Sequence, residues 1–228
     1  MKLSQKPYRR TAKIIGEHIL DNSSKSALDI GCGIPYALLE LYTLKKCQKL
    51  TAVEQKEIGT EEVNFGDKTL DTLNLIDGIQ FNESTVYEEY NRIKSDSWLY
   101  NQCLKKTLFY GYIPIKKDLF DQLVSSKHFG TSVEEFIRTN SETFDIIIVS
   151  KLLCHIKVDR VELIRKIIEK LNIDGLLFLR LNSNGFQTSN NLNTTEISNI
   201  LKFMKIEEIY EEDCNGQIHL IVIGRNGL

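Results

Sequence analysis

The chain has 228 residues, of which 42% are hydrophobic and 26% are charged, and its formal net charge is −2. This length and apolar content suffice for one substantial core and predict a single domain over residues 1–228. A net charge so close to zero leaves no broad basic surface for a phosphate backbone, so duplex nucleic acid is not an expected partner.

Helices and strands alternate along the first part of the chain. Apolar residues at helical spacing predict an amphipathic helix over Tyr8–Leu20. Short apolar runs, typical of parallel strands buried on both faces, follow at Ala27–Ile30 and Leu50–Val53. Between these strands, Pro35–Leu44 predicts a helix with proline at its first position, where the missing N–H costs nothing.

The segment Lys56–Ile115 is longer than an ordinary connection between a strand and the next helix, which indicates an insertion. It is the most aromatic part of the chain and has helical spacing from about Ser84 to Lys106. Because it leaves the second strand after Glu54, it begins at the edge of the sheet where ligands bind. We therefore predict a largely helical, lid-like insertion, whose aromatic side chains either line a pocket or form a small core of their own.

The alternation resumes with a clear buried strand at Phe144–Val149. An amphipathic helix is predicted over Val158–Leu171, and a further strand over Leu176–Leu181 follows a turn at Asp174-Gly175. Strand, helix and strand in repetition predict a parallel sheet with right-handed crossovers.

The C-terminal part predicts a helix and then a hairpin. The helix covers Thr194–Phe203, and a run ending at Tyr210 follows it. The turn Asn215-Gly216 then leads into a strand over Ile218–Ile223. Two extended runs on either side of such a turn predict an antiparallel β-hairpin.

The turn from Asp29 to Gly33 is the main candidate for a ligand site. Gly31 and Gly33 permit positive φ and close approach to the backbone, and the helix that follows offers unpaired N–H groups. By itself this pattern also fits an ordinary tight turn. Glu54, at the end of the neighbouring strand, favours a ligand, because a carboxylate there can accept both hydroxyls of a ribose.

Five segments together resemble the class I S-adenosylmethionine-dependent methyltransferases. Ala27–Gly33 resembles that family's first motif, and Leu50–Glu54 resembles its ribose-binding strand end. Phe144–Val149 with Lys151–Ile156 resembles the fourth strand and the segment after it, and Leu171–Phe178 resembles the next turn and strand. The resemblance covers the chain outside the predicted insertion. It implies a Rossmann-like α/β fold with a mostly parallel seven-stranded sheet, a C-terminal antiparallel hairpin and a largely helical insertion after the second strand.

The resemblance also implies which residues bind S-adenosylmethionine. Asp29 and the two glycines would surround its methionine and ribose portions, and Glu54 would accept the ribose hydroxyls. Thr131 and Ser132 stand where many members have an acidic residue that meets adenine. The complete predicted set is Asp29, Gly31, Cys32, Gly33, Glu54, Gln55, Thr131, Ser132, Ser150 and Lys151.

Methyl transfer from a sulfonium requires an aligned acceptor and exclusion of water rather than a covalent enzyme intermediate. A general base is needed only when the acceptor arrives protonated. His155, just past the fourth strand, is the predicted candidate, and the alternative is that it packs or caps beneath the next helix. At the N-terminus, Arg9 or Arg10 either pairs with the carboxylate of the cofactor or lies on a solvated helix face.

The leading functional hypothesis is a methyltransferase that transfers a methyl group to a small-molecule acceptor by direct in-line displacement. The alternatives are a methyltransferase-fold binding protein without catalysis and a methyltransferase for protein or RNA. A nicotinamide enzyme is less favoured, because Tyr36 stands where GxGxxG requires its third glycine. We expect a cytoplasmic location without a membrane segment, since the N-terminus lacks an apolar run. The five cysteines have no CxxC spacing, so no metal site is expected, and a homodimer is left open.

Overall fold

Eight strands form one sheet in the computed structural model, which describes residues 3–19, 25–32, 35–55, 127–156, 159–182, 192–214 and 217–226. All of these residues belong to the first of two units into which backbone contacts divide the chain, 1–56 with 126–228 and 57–125. The predicted lid-like insertion and Gly33 lie outside the described residues. The single-domain organisation and the role of the insertion therefore stay predictions.

The described elements follow the predicted alternation. The strands are β1 Gln5–Pro7, β2 Ser26–Ile30, β3 Lys49–Glu54, β4 Lys127–Phe129, β5 Phe144–Ser150, β6 Leu171–Asn182, β7 Met204–Cys214 and β8 Gln217–Asn226. The helices are α1 Thr11–His18, α2 Tyr36–Thr43, α3 Val133–Thr139, α4 Arg160–Ile168 and α5 Thr194–Leu201, with a 3₁₀ turn at Leu153–His155.

The strand order is β1-β7-β8-β6-β5-β2-β3-β4. From β6 to β4 all neighbouring strands pair in parallel, whereas β8 pairs antiparallel with both β6 and β7. The β7–β8 pair is the predicted C-terminal hairpin. This arrangement confirms the predicted fold class, a mostly parallel seven-stranded sheet with an antiparallel hairpin.

An eighth strand, β1, extends the sheet beyond the prediction. It pairs in parallel with β7, from Gln5 opposite Glu211 to Pro7 opposite Asp213. Because these residues are extended and Arg10 remains extended as the N-cap, α1 begins at Thr11 and not at Tyr8. The first helix is therefore shorter than its apolar periodicity predicts.

The sheet is buried on both faces, as alternating strand positions show. On one face, Leu28, Ile147 and Leu177 pack with apolar residues of α3, α4 and α5. The alternate positions Ile148 and Phe178 point to the other face and are also fully buried. Continuous apolar strand sequences are the consequence of burial on two faces.

Three boundaries differ from the sequence prediction for local reasons. Pro35 is the N-cap of α2 and not its first helical residue, and its carbonyl accepts from the Leu39 N–H at 3.3 Å. Asp159 caps α4 by accepting from the backbone of the next turn, so the helix begins later than predicted. The turn at Asp174-Gly175 is an irregularity within β6, with Asp174 at φ 60°.

Candidate functional site

The turn after β2 requires glycine for two separate reasons. Gly31 has a φ of 67°, and a Cβ atom there would lie 2.7 Å from Cδ1 of Leu152. The turn is held against β3, because the N–H groups of Gly31 and Cys32 both donate to the Val53 carbonyl, at 2.8 and 3.3 Å. The backbone at Gly31 is thereby fixed in the left-handed conformation.

Two carboxylates lie at the ends of neighbouring strands beside this turn. Asp29 on β2 is only 4% exposed, whereas Glu54, the last residue of β3, is partly exposed. Burial raises the pKa of Asp29 to about 8, and the nearby Glu54 carboxylate contributes to the rise. At neutral pH Asp29 is consequently protonated and can donate a hydrogen bond.

A cavity of about 460 Å³ opens at the carboxyl ends of the parallel strands, which is within the usual range for small-molecule sites. Polar and apolar residues alternate around it. It is lined by Gly31, Cys32, Val53, Glu54, Gln55, Thr131, Val133, Ser150, Lys151, Leu152, His155 and Ile156. The fold therefore brings together, in one cavity, most of the residues that the sequence analysis named.

Two predicted residues are placed differently, and a third is not among the described residues. Asp29 is buried and is not among the lining residues. Ser132 uses its hydroxyl to cap α3, accepting from the Glu135 N–H at 3.2 Å, while its neighbour Thr131 lines the cavity. Gly33 lies outside the described residues.

The segment after β5 forms another part of the cavity wall. Lys151 has a φ of 59°, and its N–H donates to the Arg180 carbonyl at 2.8 Å. Desolvation lowers the pKa of Lys151, and the positive charge of Arg180 lowers it further. The exposed His155 also lines the cavity. Burial raises the pKa of Cys154, which therefore remains a thiol at neutral pH.

The sequence analysis did not identify a buried polar cluster at the end of β6. Arg180, 4% exposed, forms an ion pair with Glu212 at 3.0 Å and donates to the Arg9 carbonyl and the Thr11 hydroxyl, at 2.8 and 3.0 Å. The Glu212 carboxylate also accepts from the Arg9 N–H at 2.9 Å. These bonds fix the segment before α1 beside the carboxyl end of β6. The sequence feature that could have indicated this cluster is the arginine within the apolar run of β6.

Neither N-terminal arginine has the surroundings of a fully solvated side chain. Arg9 forms an ion pair with Glu17, and Arg10 lies 3.4 Å from Glu40, a carboxylate only 2% exposed. Both guanidinium groups therefore have carboxylate partners within the chain.

Taken together, the parallel sheet, the glycine turn and the acidic strand end define a nucleotide-binding α/β protein of the Rossmann-like class. Residues 5–196 match the family model described as "Methyltransferase domain". The match spans most of the chain, which therefore belongs to the methyltransferase domain family. The prediction of a S-adenosylmethionine-dependent methyltransferase is thereby confirmed. No curated protein matches the chain in sequence.

Solved structures of methyltransferases share the fold. The N-methyltransferase NodS from Bradyrhizobium japonicum WM9, in complex with S-adenosylhomocysteine, has a TM-score of 0.50 and 12% identity, over 91% of this chain and 80% of that one. The 1,6-didemethyltoxoflavin-N1-methyltransferase from Burkholderia thailandensis has a TM-score of 0.51 and 12% identity, over 94% and 76%. Magnesium protoporphyrin IX methyltransferase from Synechocystis PCC 6803, with bound SAM, has a TM-score of 0.50 and 11% identity, over 95% and 76%.

None of the helices in the described ranges has both the length and the apolar character that crossing a membrane requires.

Proposed function

We propose that this chain transfers the methyl group of S-adenosylmethionine to a small-molecule acceptor by direct in-line displacement. The observation that carries the proposal is the cavity between the Gly31 turn, Glu54 and the segment after β5. Two of the methyltransferases compared above are named for small acceptors, 1,6-didemethyltoxoflavin and magnesium protoporphyrin IX. The third, NodS, was solved with the demethylated product of the cofactor. The near-neutral charge of the chain agrees with an acceptor that is not duplex nucleic acid.

The residues present fit this cofactor. Gly31 lines the cavity and carries no side chain, so a ligand can approach its backbone closely. Glu54 is partly exposed on the cavity wall, where its carboxylate can accept two ribose hydroxyls. Cys32, Gln55, Thr131 and the backbone of Ser150 and Lys151 would complete the site. Asp29, protonated beneath the turn, would support it from below.

The bound cofactor supplies a methyl group that is already activated as a sulfonium. The chain's own contribution is to align the acceptor and to exclude water. Water would be excluded by the apolar part of the cavity wall, which is formed by Val53, Leu152 and Ile156. His155, exposed on the same wall, would accept a proton from an acceptor that arrives as an alcohol or amine.

The decisive experiment is calorimetric titration of S-adenosylhomocysteine onto the chain and its Glu54→Ala variant. We expect the parent chain to bind and the variant to bind roughly tenfold or more weakly, because hydrogen bonds to a charged group contribute about 1.5–3 kcal/mol. Glu142→Ala is the matched control, since Glu142 pairs with Lys49 at the opposite end of β3. Equal affinity of the Glu54 variant and its parent would refute the placement of the ribose.

A mass spectrometric assay addresses the acceptor. Incubation with S-adenosylmethionine and a metabolite extract should yield a product heavier by one methyl group, and Glu54→Ala should reduce its formation.

A further inference from the structure

The ammonium group of Lys151 has no carboxylate partner on the cavity wall. The backbone of Lys151 is fixed by its bond to the Arg180 carbonyl and by the left-handed conformation after β5. Within the part of the chain that the structure describes, no hydrogen bond or ion pair engages its side-chain nitrogen. Lys151 is therefore an exposed cation on the cavity wall, and its ammonium group is available to an anionic ligand.

The charged and polar groups nearest to Lys151 in electrostatic terms lie on the side of β5 away from the glycine turn. The main electrostatic partners of Lys151 are Arg180, Cys214, Glu212 and Cys154, which lie at or near the ends of β5, β6 and β7. Asp29 and Glu54, on the other side of β5, are not among them. An anion held by Lys151 would therefore lie on the side of the cavity that faces β6, β7 and β8.

The neighbouring groups do not neutralise this charge. The Glu212 carboxylate is already bound by Arg180 and by the Arg9 backbone. Burial raises the pKa of both Cys154 and Cys214, so neither thiol is ionised at neutral pH. The local balance around Lys151 is consequently positive.

Unsatisfied polar atoms lie next to this cation. The strand register sets Asn182 opposite His219 and His219 opposite Glu212, so the three side chains share one face of the sheet. His219 is only 2% exposed, and neither of its ring nitrogens has a hydrogen-bond partner. The side-chain oxygen of Asn182 also lacks one, although its amide nitrogen contacts the Cys154 sulfur at 3.5 Å. Buried polar atoms without partners destabilise the folded chain, so such a cluster indicates a binding partner.

His219 is a neutral hydrogen-bonding group in this cluster. Desolvation, followed by the charges of Lys151 and Arg180, lowers its pKa to about 4. A neutral imidazole donates one hydrogen bond and accepts another. The cluster therefore combines one cation with neutral donors and acceptors, a set that suits an acidic or hydroxyl-bearing ligand and disfavours a cationic one.

We infer that Lys151 binds the acidic group of the methyl acceptor, with Asn182 and His219 offering neutral hydrogen bonds beside it. The inference rests on the proposed function and narrows the acceptor to small carboxylic acids or comparable anions. The carboxylate of the cofactor could form the same ion pair with Lys151. The experiment therefore has to distinguish a cofactor carboxylate from an acidic group of the acceptor.

The test is a binding assay on chain saturated with S-adenosylhomocysteine. Small aromatic carboxylates and their uncharged primary amides, with benzoate and benzamide as the first pair, are titrated onto the parent chain and onto Lys151→Met. We expect the carboxylates to bind the parent roughly tenfold more tightly than the amides. Lys151→Met should abolish this preference, and Lys151→Arg should restore it. Lys166→Met, on the exposed face of α4, is the matched control and should keep the preference.

Separate titrations of S-adenosylhomocysteine and methylthioadenosine, which lacks the amino-acid portion, identify the source of the carboxylate. The inference requires that Lys151→Met leave the ratio of the two affinities unchanged, because any disturbance of the backbone at this position would weaken both ligands alike. A selective loss for S-adenosylhomocysteine would overturn it and assign Lys151 to the cofactor. The inference would also be overturned if the parent chain bound carboxylates and amides with equal affinity, or if it bound neither. If the parent does not bind S-adenosylhomocysteine, the proposed function fails, and the carboxylate titration without it still tests the ion pair.

Discussion

Replacement of Gly31 by alanine should damage both the fold and the site. The backbone there has a φ of 67°, which is unfavourable for alanine by about 1–2 kcal/mol. The added Cβ would also lie 2.7 Å from Cδ1 of Leu152 and 3.3 Å from its Cβ and Cγ. The tip of Leu152 can rotate away, but its Cβ is fixed to the backbone, so the contact cannot be relieved by side-chain motion alone.

The two effects have a combined magnitude of about 2–5 kcal/mol. Overpacking in a filled interior costs about 1–3 kcal/mol, and this adds to the cost of the backbone conformation. The effect on ligand binding has the same origin, because Leu152 lines the cavity and must move when the Cβ is introduced. We therefore expect Gly31→Ala to lose affinity for S-adenosylhomocysteine as well as stability.

Urea unfolding followed by circular dichroism measures the first effect, and calorimetry measures the second. Gly16→Ala is the matched control, because Gly16 lies within α1 and its added Cβ would meet only Lys46, at an ordinary 3.6 Å. There the substitution should stabilise the chain by about 0.5–1 kcal/mol. A Gly31→Ala chain with the stability and the affinity of its parent would refute the reasoning.

Two further predictions concern buried charge. Glu212→Gln should lower the free energy of unfolding by about 3–5 kcal/mol, because Arg180 would be left buried without its partner. In the same urea assay, Glu162→Gln should leave the free energy of unfolding almost unchanged, since its pair with Arg165 is exposed. Asp29 has a pKa of about 8 in the folded chain against an ordinary value of 3.8, so the folded state retains a proton that the unfolded state loses. Stability should fall as pH rises from about 4 to about 8, and Asp29→Asn should remove this contribution; an unchanged pH profile would contradict it.

The central strands could be predicted from sequence because burial on both faces leaves an unmistakable apolar run. Phe144–Val149 and Ala27–Ile30 were each placed within one residue of the observed strands. Helix boundaries were less predictable, because they depend on caps and on competing pairings. Tyr8 has the periodicity of α1 but lies next to residues that pair with β7, far along the chain.

The glycine turn and Glu54 were predictable because their chemistry is local. A positive φ favours glycine, and parallel pairing sets the ends of β2 and β3 side by side. Leu152 and Val53 could not be identified as cavity residues, since apolar residues near strand ends are equally suited to the core.

The sequence by itself determined the class of protein, because the motifs of the first, second and fourth parallel strands are short and contiguous. Only the tertiary structure decided how the cation of Lys151 is surrounded. Its neighbours Arg180, Glu212 and His219 are separated along the chain and meet through the antiparallel register of β6, β7 and β8. Whether a lysine is paired or left to bind a ligand depends on such long-range neighbours, which residue type and spacing do not specify.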